Sequence, residues 1–194
     1  MTILGVILAG GASSRMGQNK AFAPLGGRTM IAHVLERLRS QADAIAIACG
    51  ANGANFASLG ETLIFDAAAY RRGPLAGLTA ALLNAEMRGF HAIVTAPCDA
   101  PFLPLDLASR LGAARGPAIA SVGTRAHPTF GFWPVAARLE AERLLAQSAG
   151  PFALADALDA RRVAFDDEAA FANVNTPADL AAAERRLAGG PGRA

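Results

Sequence analysis

Ile3-Leu4-Gly5-Val6-Ile7-Leu8-Ala9 runs straight into Gly10-Gly11-Ala12-Ser13-Ser14-Arg15-Met16-Gly17-Gln18-Asn19-Lys20. The first stretch is a short apolar run without strict polar alternation, as expected of a strand covered on both faces. The second is a loop rich in glycine and hydroxyls, carrying two cations, Arg15 and Lys20. A loop after the first strand of an α/β sheet lies at the carboxyl edge, where ligands bind. Backbone N–H groups freed by glycine can face phosphate oxygens, with Arg15 and Lys20 as countercharge. No Gly-Lys-Ser/Thr ends the loop and its glycines lack dinucleotide-fingerprint spacing, so neither of those phosphate motifs applies. A plain flexible turn is the competing reading.

Outward from this stretch, short apolar runs alternate with helical periodicity, the pattern of repeated strand-helix units around a mostly parallel sheet. Strands are expected near Ile3–Ala9, Ala44–Cys49, Thr62–Phe65, Ala92–Ala96, Ala118–Val122, Thr129–Trp133 and Val163–Phe165. Helices are expected at Thr29–Ser40, Leu75–Arg88, Leu105–Leu111, Pro134–Gln147 and Thr176–Leu187. Thr176 before Pro177, with Asp179 in the first turn, is a helix start signal. The expected fold is a single-domain, Rossmann-like three-layer α/β/α sandwich over residues 1–188, with a flexible tail at 189–194.

Composition narrows the function. The 194 residues are 53% hydrophobic and 18% charged, a globular balance. Cys49 and Cys98 are too few for a disulfide framework and read as reduced core thiols. No apolar run reaches the roughly 20 residues of a membrane span, and no export signal opens the chain, so a cytoplasmic protein without membrane contact is expected. The net charge of +2 is scattered without basic runs, which argues against nucleic acid. Of the 18 basic residues only Lys20 is lysine. A compact ammonium differs from a guanidinium fork as a phosphate ligand, so a lone lysine in this loop suggests a specific role.

Three further loops carry candidate chemistry. Asp66 follows the third strand, where it could contact a base or ribose or merely cap the turn. Asp99, in Pro97-Cys98-Asp99-Ala100-Pro101, follows the strand expected at the sheet's centre. A carboxylate held there by prolines suits Mg²⁺, which binds through one or two carboxylates plus substrate phosphates and water. Asn173-Val174-Asn175-Thr176-Pro177 offers amides and a helix N-terminus to a polar or anionic acceptor, or to capping, and capping suits Asn173 better. His33 and His91 read as structural, and His127 is a candidate for the acceptor side. No serine or cysteine pairs with a histidine in a nucleophile motif.

Together these segments resemble the nucleotidyltransferases of Rossmann-like, nucleotide-diphospho-sugar transferase-like fold, and most closely the molybdenum cofactor guanylyltransferases of the MobA family. The resemblance rests on Leu8 to Lys20, Gly73-Pro74-Leu75-Ala76-Gly77, Cys98-Asp99-Ala100-Pro101 and Asn173-Val174-Asn175-Thr176-Pro177, in the family's order across nearly the whole chain. It implies transfer of GMP from GTP to the phosphate of the molybdopterin cofactor, with pyrophosphate released. By position it assigns nucleotide binding to Leu8, Ala9, Gly10, Gly11, Lys20, Asp66 and Asp99, Mg²⁺ binding to Asp99, and catalysis to Lys20, Asp99 and Arg15. Asn175 and His127 are the acceptor-side candidates. Transient contact with cofactor-inserting proteins or molybdoenzymes is also implied. Gly11 and Gly73 to Gly77 favour GTP over CTP. Two positions depart from the family pattern: Gly50, with Asn52 two residues on, replaces an asparagine, and Asn19 replaces an aspartate. The competing functions are cytidylyl transfer to the same acceptor, transfer to a sugar or polyol phosphate, and nucleotide binding for cofactor delivery without turnover.

Overall fold

The computed structural model describes residues 1–10, 20–50, 53–65 and 73–189. Four parallel strands begin the main sheet: β1 (Ile3–Leu8), β4 (Ala44–Ala48), β5 (Thr62–Ile64) and β6 (Ala92–Pro97). They are joined by β7 (Ala118–Val122), β8 (Arg125–Pro134) and β9 (Arg161–Phe165) in the order β5-β4-β1-β6-β8-β7-β9. β6 lies at the centre, as its apolar run implied, and all six of its residues are buried. β8 runs antiparallel to both neighbours, so the sheet is mostly rather than wholly parallel.

Alternation along the strands builds two core layers. Leu4, Val6 and Leu8 of β1 face one side with α2 (Pro74–Met87), α4 (Arg138–Ala146) and α5 (Pro151–Ala157). Ile7 faces the other side with α1 (Met30–Arg39) and α3 (Leu107–Gly112). In α1, Met30, Ile31, Val34, Leu35 and Leu38 are buried, the three-and-four spacing of one helical face. Gly5 lets that helix approach β1: a Cβ there would lie 2.6 Å from Ile45 Cδ1 and 3.1 Å from Leu38 Cγ.

Several elements differ from the sequence expectations. The expected helix over 134–147 begins as a 3₁₀ turn, Val135–Ala137, before α4. α5 has no counterpart among the expected helices; it is only seven residues long and starts with proline after Gly150. A two-strand hairpin, β2 (Pro24–Leu25) and β3 (Arg28–Thr29), precedes α1, turning through Gly26 and Gly27 at φ 57° and 78°. Paired positive φ values of this kind are readily accessible to glycine. α6 (Pro177–Gly189) runs two residues past the expected Leu187.

The sheet opens at one point that matters for function. β8 pairs with β6 only as far as Thr95↔Gly131. Against β7 its register jumps between Ile119↔Gly131 and Ala120↔His127, leaving Pro128, Thr129 and Phe130 as a bulge. Proline cannot donate to a ladder and is tolerated in such bulges. The bulge separates the first half of β8 from the carboxyl end of β6.

Candidate active site

The carboxyl ends of β1 and β6 are tied together, with the Cys98 N–H donating to the Leu8 carbonyl at 3.1 Å. The Ala9 N–H donates to the Ala48 carbonyl at 2.8 Å. Leu8 and Ala9 are buried, so these backbone groups are committed to the sheet. Gly10 makes no hydrogen bond among the described residues. Gly11, Arg15 and Asp66, also expected near the nucleotide, lie outside the described residues, as does Asn52.

Asp99 follows β6, partly buried, and its carbonyl accepts the Val174 N–H at 2.8 Å. Burial raises its carboxyl above the ordinary carboxylate range, while a backbone N–H and the nearby Lys20 ammonium act the other way. A carboxylate that burial disfavours as an anion gains from an arriving cation. Next to it the Cys98 thiol is pushed up to about 12, mainly by burial and then by Asp99. It therefore stays protonated at neutral pH and is a poor nucleophile.

Lys20 opens a 3₁₀ turn, Lys20–Phe22, and its Nζ donates to Asn175 Oδ1 at 2.6 Å. That contact joins residues 155 positions apart. Asn175 is brought in by α6, whose Ala183 packs with Leu25, Met30, Phe102 and Val174 in a third apolar cluster. The start of α6 is capped reciprocally: the Asp179 N–H donates to Thr176 Oγ1 at 3.1 Å, and the Asp179 carboxylate accepts the Thr176 N–H at 2.8 Å. The same carboxylate oxygen accepts the Asn175 N–H at 2.9 Å. These bonds, led by the one from Asn175, hold the Asp179 carboxyl below its ordinary range.

Beside this cluster is a polar cavity of about 280 Å³, lined among others by Arg125, His127, Thr129, Phe171, Asn173 and Asn175. Thr129 and Phe130 of the β8 bulge are among its lining residues. The His127 ring stands 5.3 Å from the Phe171 ring and 6.1 Å from that of Phe130, centre to centre. Its Nε2 is buried and has no hydrogen-bond partner among the described residues. Burial, then Arg125, lowers the His127 pKa, with Glu168 opposing, so the ring is neutral at pH 7. A buried, unpartnered ring nitrogen carries a desolvation cost that a bound polar group would offset.

The structure thus brings Lys20, Asp99 and Asn175 together, with His127 lining the adjoining cavity. Asn173 lines that cavity as well, and the capping expected of it is done instead by Thr176 and Asp179. Asp179 stands in the sequence as a first-turn acid, and Thr176-Pro177-Ala178-Asp179 also has the spacing of a capping box. Phe171 gave no local signal. A larger groove of about 510 Å³ between β5, α2 and α4 is mainly apolar and contains none of the described candidate residues. Among the described residues no three ligating side chains converge on a metal position. No helix among them is long and apolar enough to cross a membrane.

The model of the MobA-like NTP transferase domain matches residues 5–163. The chain belongs to this family. A molybdenum cofactor guanylyltransferase of Cereibacter sphaeroides is 44% identical over 191 residues, covering 96% of this chain and 98% of that one. One from Acidiphilium cryptum is 42% identical over 184 residues, covering 92% of each. Among solved structures, the molybdopterin-guanine dinucleotide biosynthesis protein A of Archaeoglobus fulgidus superposes with a TM-score of 0.75 at 24% identity, covering 96% of this chain and 99% of that one. A 2-C-methyl-D-erythritol 4-phosphate cytidylyltransferase of Thermus thermophilus superposes at 0.69 with 19% identity, covering 97% and 98%. At these identities the two structures establish the MobA-like fold alone. The family match ends at residue 163, before the Asn173 to Pro177 segment.

Proposed function

We propose that this MobA-like chain is a cytoplasmic guanylyltransferase that moves GMP from GTP onto the terminal phosphate of the molybdopterin cofactor. The observation that carries the reading is the meeting of two half-sites. Lys20 and Asp99 stand at the carboxyl ends of the central strands, where nucleotides bind in open α/β sheets. The cavity of His127 and Asn173 adjoins them through Asn175. The near-full-length likeness to molybdenum cofactor guanylyltransferases supports both the nucleotide and the acceptor.

The chemistry asks the protein mainly for position and charge. An oxygen of the acceptor phosphate, already anionic, attacks the α-phosphorus of GTP. A new phosphoanhydride bond forms, the bond from the α-phosphorus to the bridging oxygen breaks, and pyrophosphate leaves with that electron pair. The Lys20 ammonium offsets charge gathering on the leaving oxygens. The high pKa of Cys98, with no base paired to it among the described residues, favours this direct displacement over a covalent intermediate. His127 and Asn175 orient the acceptor, and the neutral His127 ring presents a hydrogen-bonding nitrogen without adding charge.

Asp99 is the residue that would hold Mg²⁺. A single half-buried carboxylate, without two further protein ligands among the described residues, fits a cation that completes its shell with substrate phosphates and water. When bound, the ion supplies charge neutralisation at the phosphates.

The test supplies Mg²⁺, the molybdopterin cofactor and either GTP or CTP, and measures pyrophosphate. Release with GTP and acceptor together is expected. Preference for CTP would move the chain to cytidylyl transfer, and no release with either would favour a binding and delivery role.

A further inference from the structure

The bond between Lys20 Nζ and Asn175 Oδ1 joins a residue whose backbone is held in place to a long side chain of many rotamers. On the Asn175 side the backbone is held from three directions. The Val174 N–H donates to the Asp99 carbonyl at 2.8 Å, and the Asn175 and Thr176 N–H groups both donate to Asp179 Oδ2, at 2.9 and 2.8 Å. Val174 is itself buried in the cluster with Leu25, Met30, Phe102 and Ala183. Lys20, in contrast, carries its charge on a flexible four-carbon stem. The amide oxygen is therefore the fixed point and the ammonium is the group being placed.

The polarity of the contact is also determined. A cation can be met only by the amide oxygen, so Oδ1 faces Lys20 and the amide N–H donors remain free for the cavity that Asn175 also lines. The ammonium has three donors, and the one given to Asn175 leaves two for phosphate oxygens.

We propose that Asn175 is a positioning residue for the nucleotide: it holds the Lys20 ammonium in register with Asp99 before GTP arrives, and acts on phosphate binding through that lysine. The inference rests on the reading of Lys20 as a phosphate ligand. It gives Asn175 a role in the nucleotide half-site that is measurable with no acceptor present.

The experiment is calorimetric binding of GTP with Mg²⁺ to the wild type, Asn175→Ala, Lys20→Ala and the double variant, without acceptor. Asn175→Ala is expected to weaken GTP about tenfold, the scale of one hydrogen bond to a charged group. Lys20→Ala is expected to weaken it at least as much, and removing Asn175 from that background should change nothing further. Guanosine, which lacks phosphates, should bind all four proteins alike. Because the Asn175 side chain is exposed, the unliganded melting temperature should stay near that of the wild type. Wild-type GTP affinity in Asn175→Ala, with weakened binding in Lys20→Ala, overturns the proposal and leaves the lysine reading standing. Additive losses in the double variant also overturn it, because they make Asn175 independent of Lys20. Undiminished affinity in Lys20→Ala removes both readings.

Discussion

Replacing Asp99 with asparagine should make this protein more stable and nearly inactive. Burial raises the Asp99 carboxyl above its ordinary value of 3.8, so at pH 7 the unliganded fold holds an anion that would be better solvated in the unfolded chain. The sign follows from linkage: a raised folded pKa lends stability below the unfolded value, and that stability is lost as pH rises through the folded one. The neutral amide of the Asp99→Asn variant escapes this loss. The expected gain is about 1 kcal/mol at pH 7, the scale of many stabilising substitutions at strained functional sites. For a chain of this length that corresponds to roughly 2–4 °C in melting temperature. The gain should shrink towards zero as pH falls below 3.8. Turnover should drop about 10²- to 10³-fold, as when a group stabilising transition-state charge is lost. Thermal melts across pH and a pyrophosphate assay measure the two effects on the same samples. An Asp99→Asn protein that melts lower than the wild type at pH 7 would refute the reasoning, because the carboxylate would then be acting as a structural cap.

Other substitutions test the remaining parts. His127→Ala should raise the acceptor KM while GTP affinity stays unchanged, and a loss of GTP affinity would place the ring in the wrong half-site. Because burial lowers the His127 pKa, stability should decline as pH falls below 6.5, where the unfolded chain takes up a proton that the folded ring resists; His127→Phe should flatten that part of the profile. Asp179→Ala should lose the reciprocal cap at a cost of about 1 kcal/mol, read by denaturant unfolding, and should weaken GTP by releasing Asn175. Gly5→Ala should destabilise by about 1–3 kcal/mol through overpacking, with partial rescue by Ile45→Val, which removes the Cδ1 atom that the new Cβ would meet. No rescue would mean that α1, not Ile45, bears the clash.

Much of the candidate site was legible because the residues it is built from sit in short local motifs. Asp99 could be picked out from three nearby prolines and an apolar strand, and Lys20 from being the lone lysine among arginines. The proposed acceptor side was less legible because it is built from segments that no periodicity links. His127 owes its place to a bulge set by Pro128 and the pairing partners of β8, and its aromatic neighbour Phe171 arrives from a 3₁₀ turn 44 residues later. Asn173 reads as a cap because amides before a helix usually are, and which residue caps depends on rotamers that sequence does not display.

By itself the sequence determined the alternation of strands and helices, the burial of β1 and β6 on both faces, and the glycine-rich and proline-stiffened loops at their ends. Those features follow from hydrophobic period, from the φ freedom of glycine and from the fixed φ of proline, which act within a few residues. Only the tertiary structure decided that β8 enters antiparallel and parts from β6, that α6 returns to the β2–β3 hairpin, and that Lys20 meets Asn175 across 155 positions. These depend on how whole layers share one core, and that is settled by the joint packing of distant side chains rather than by any local preference.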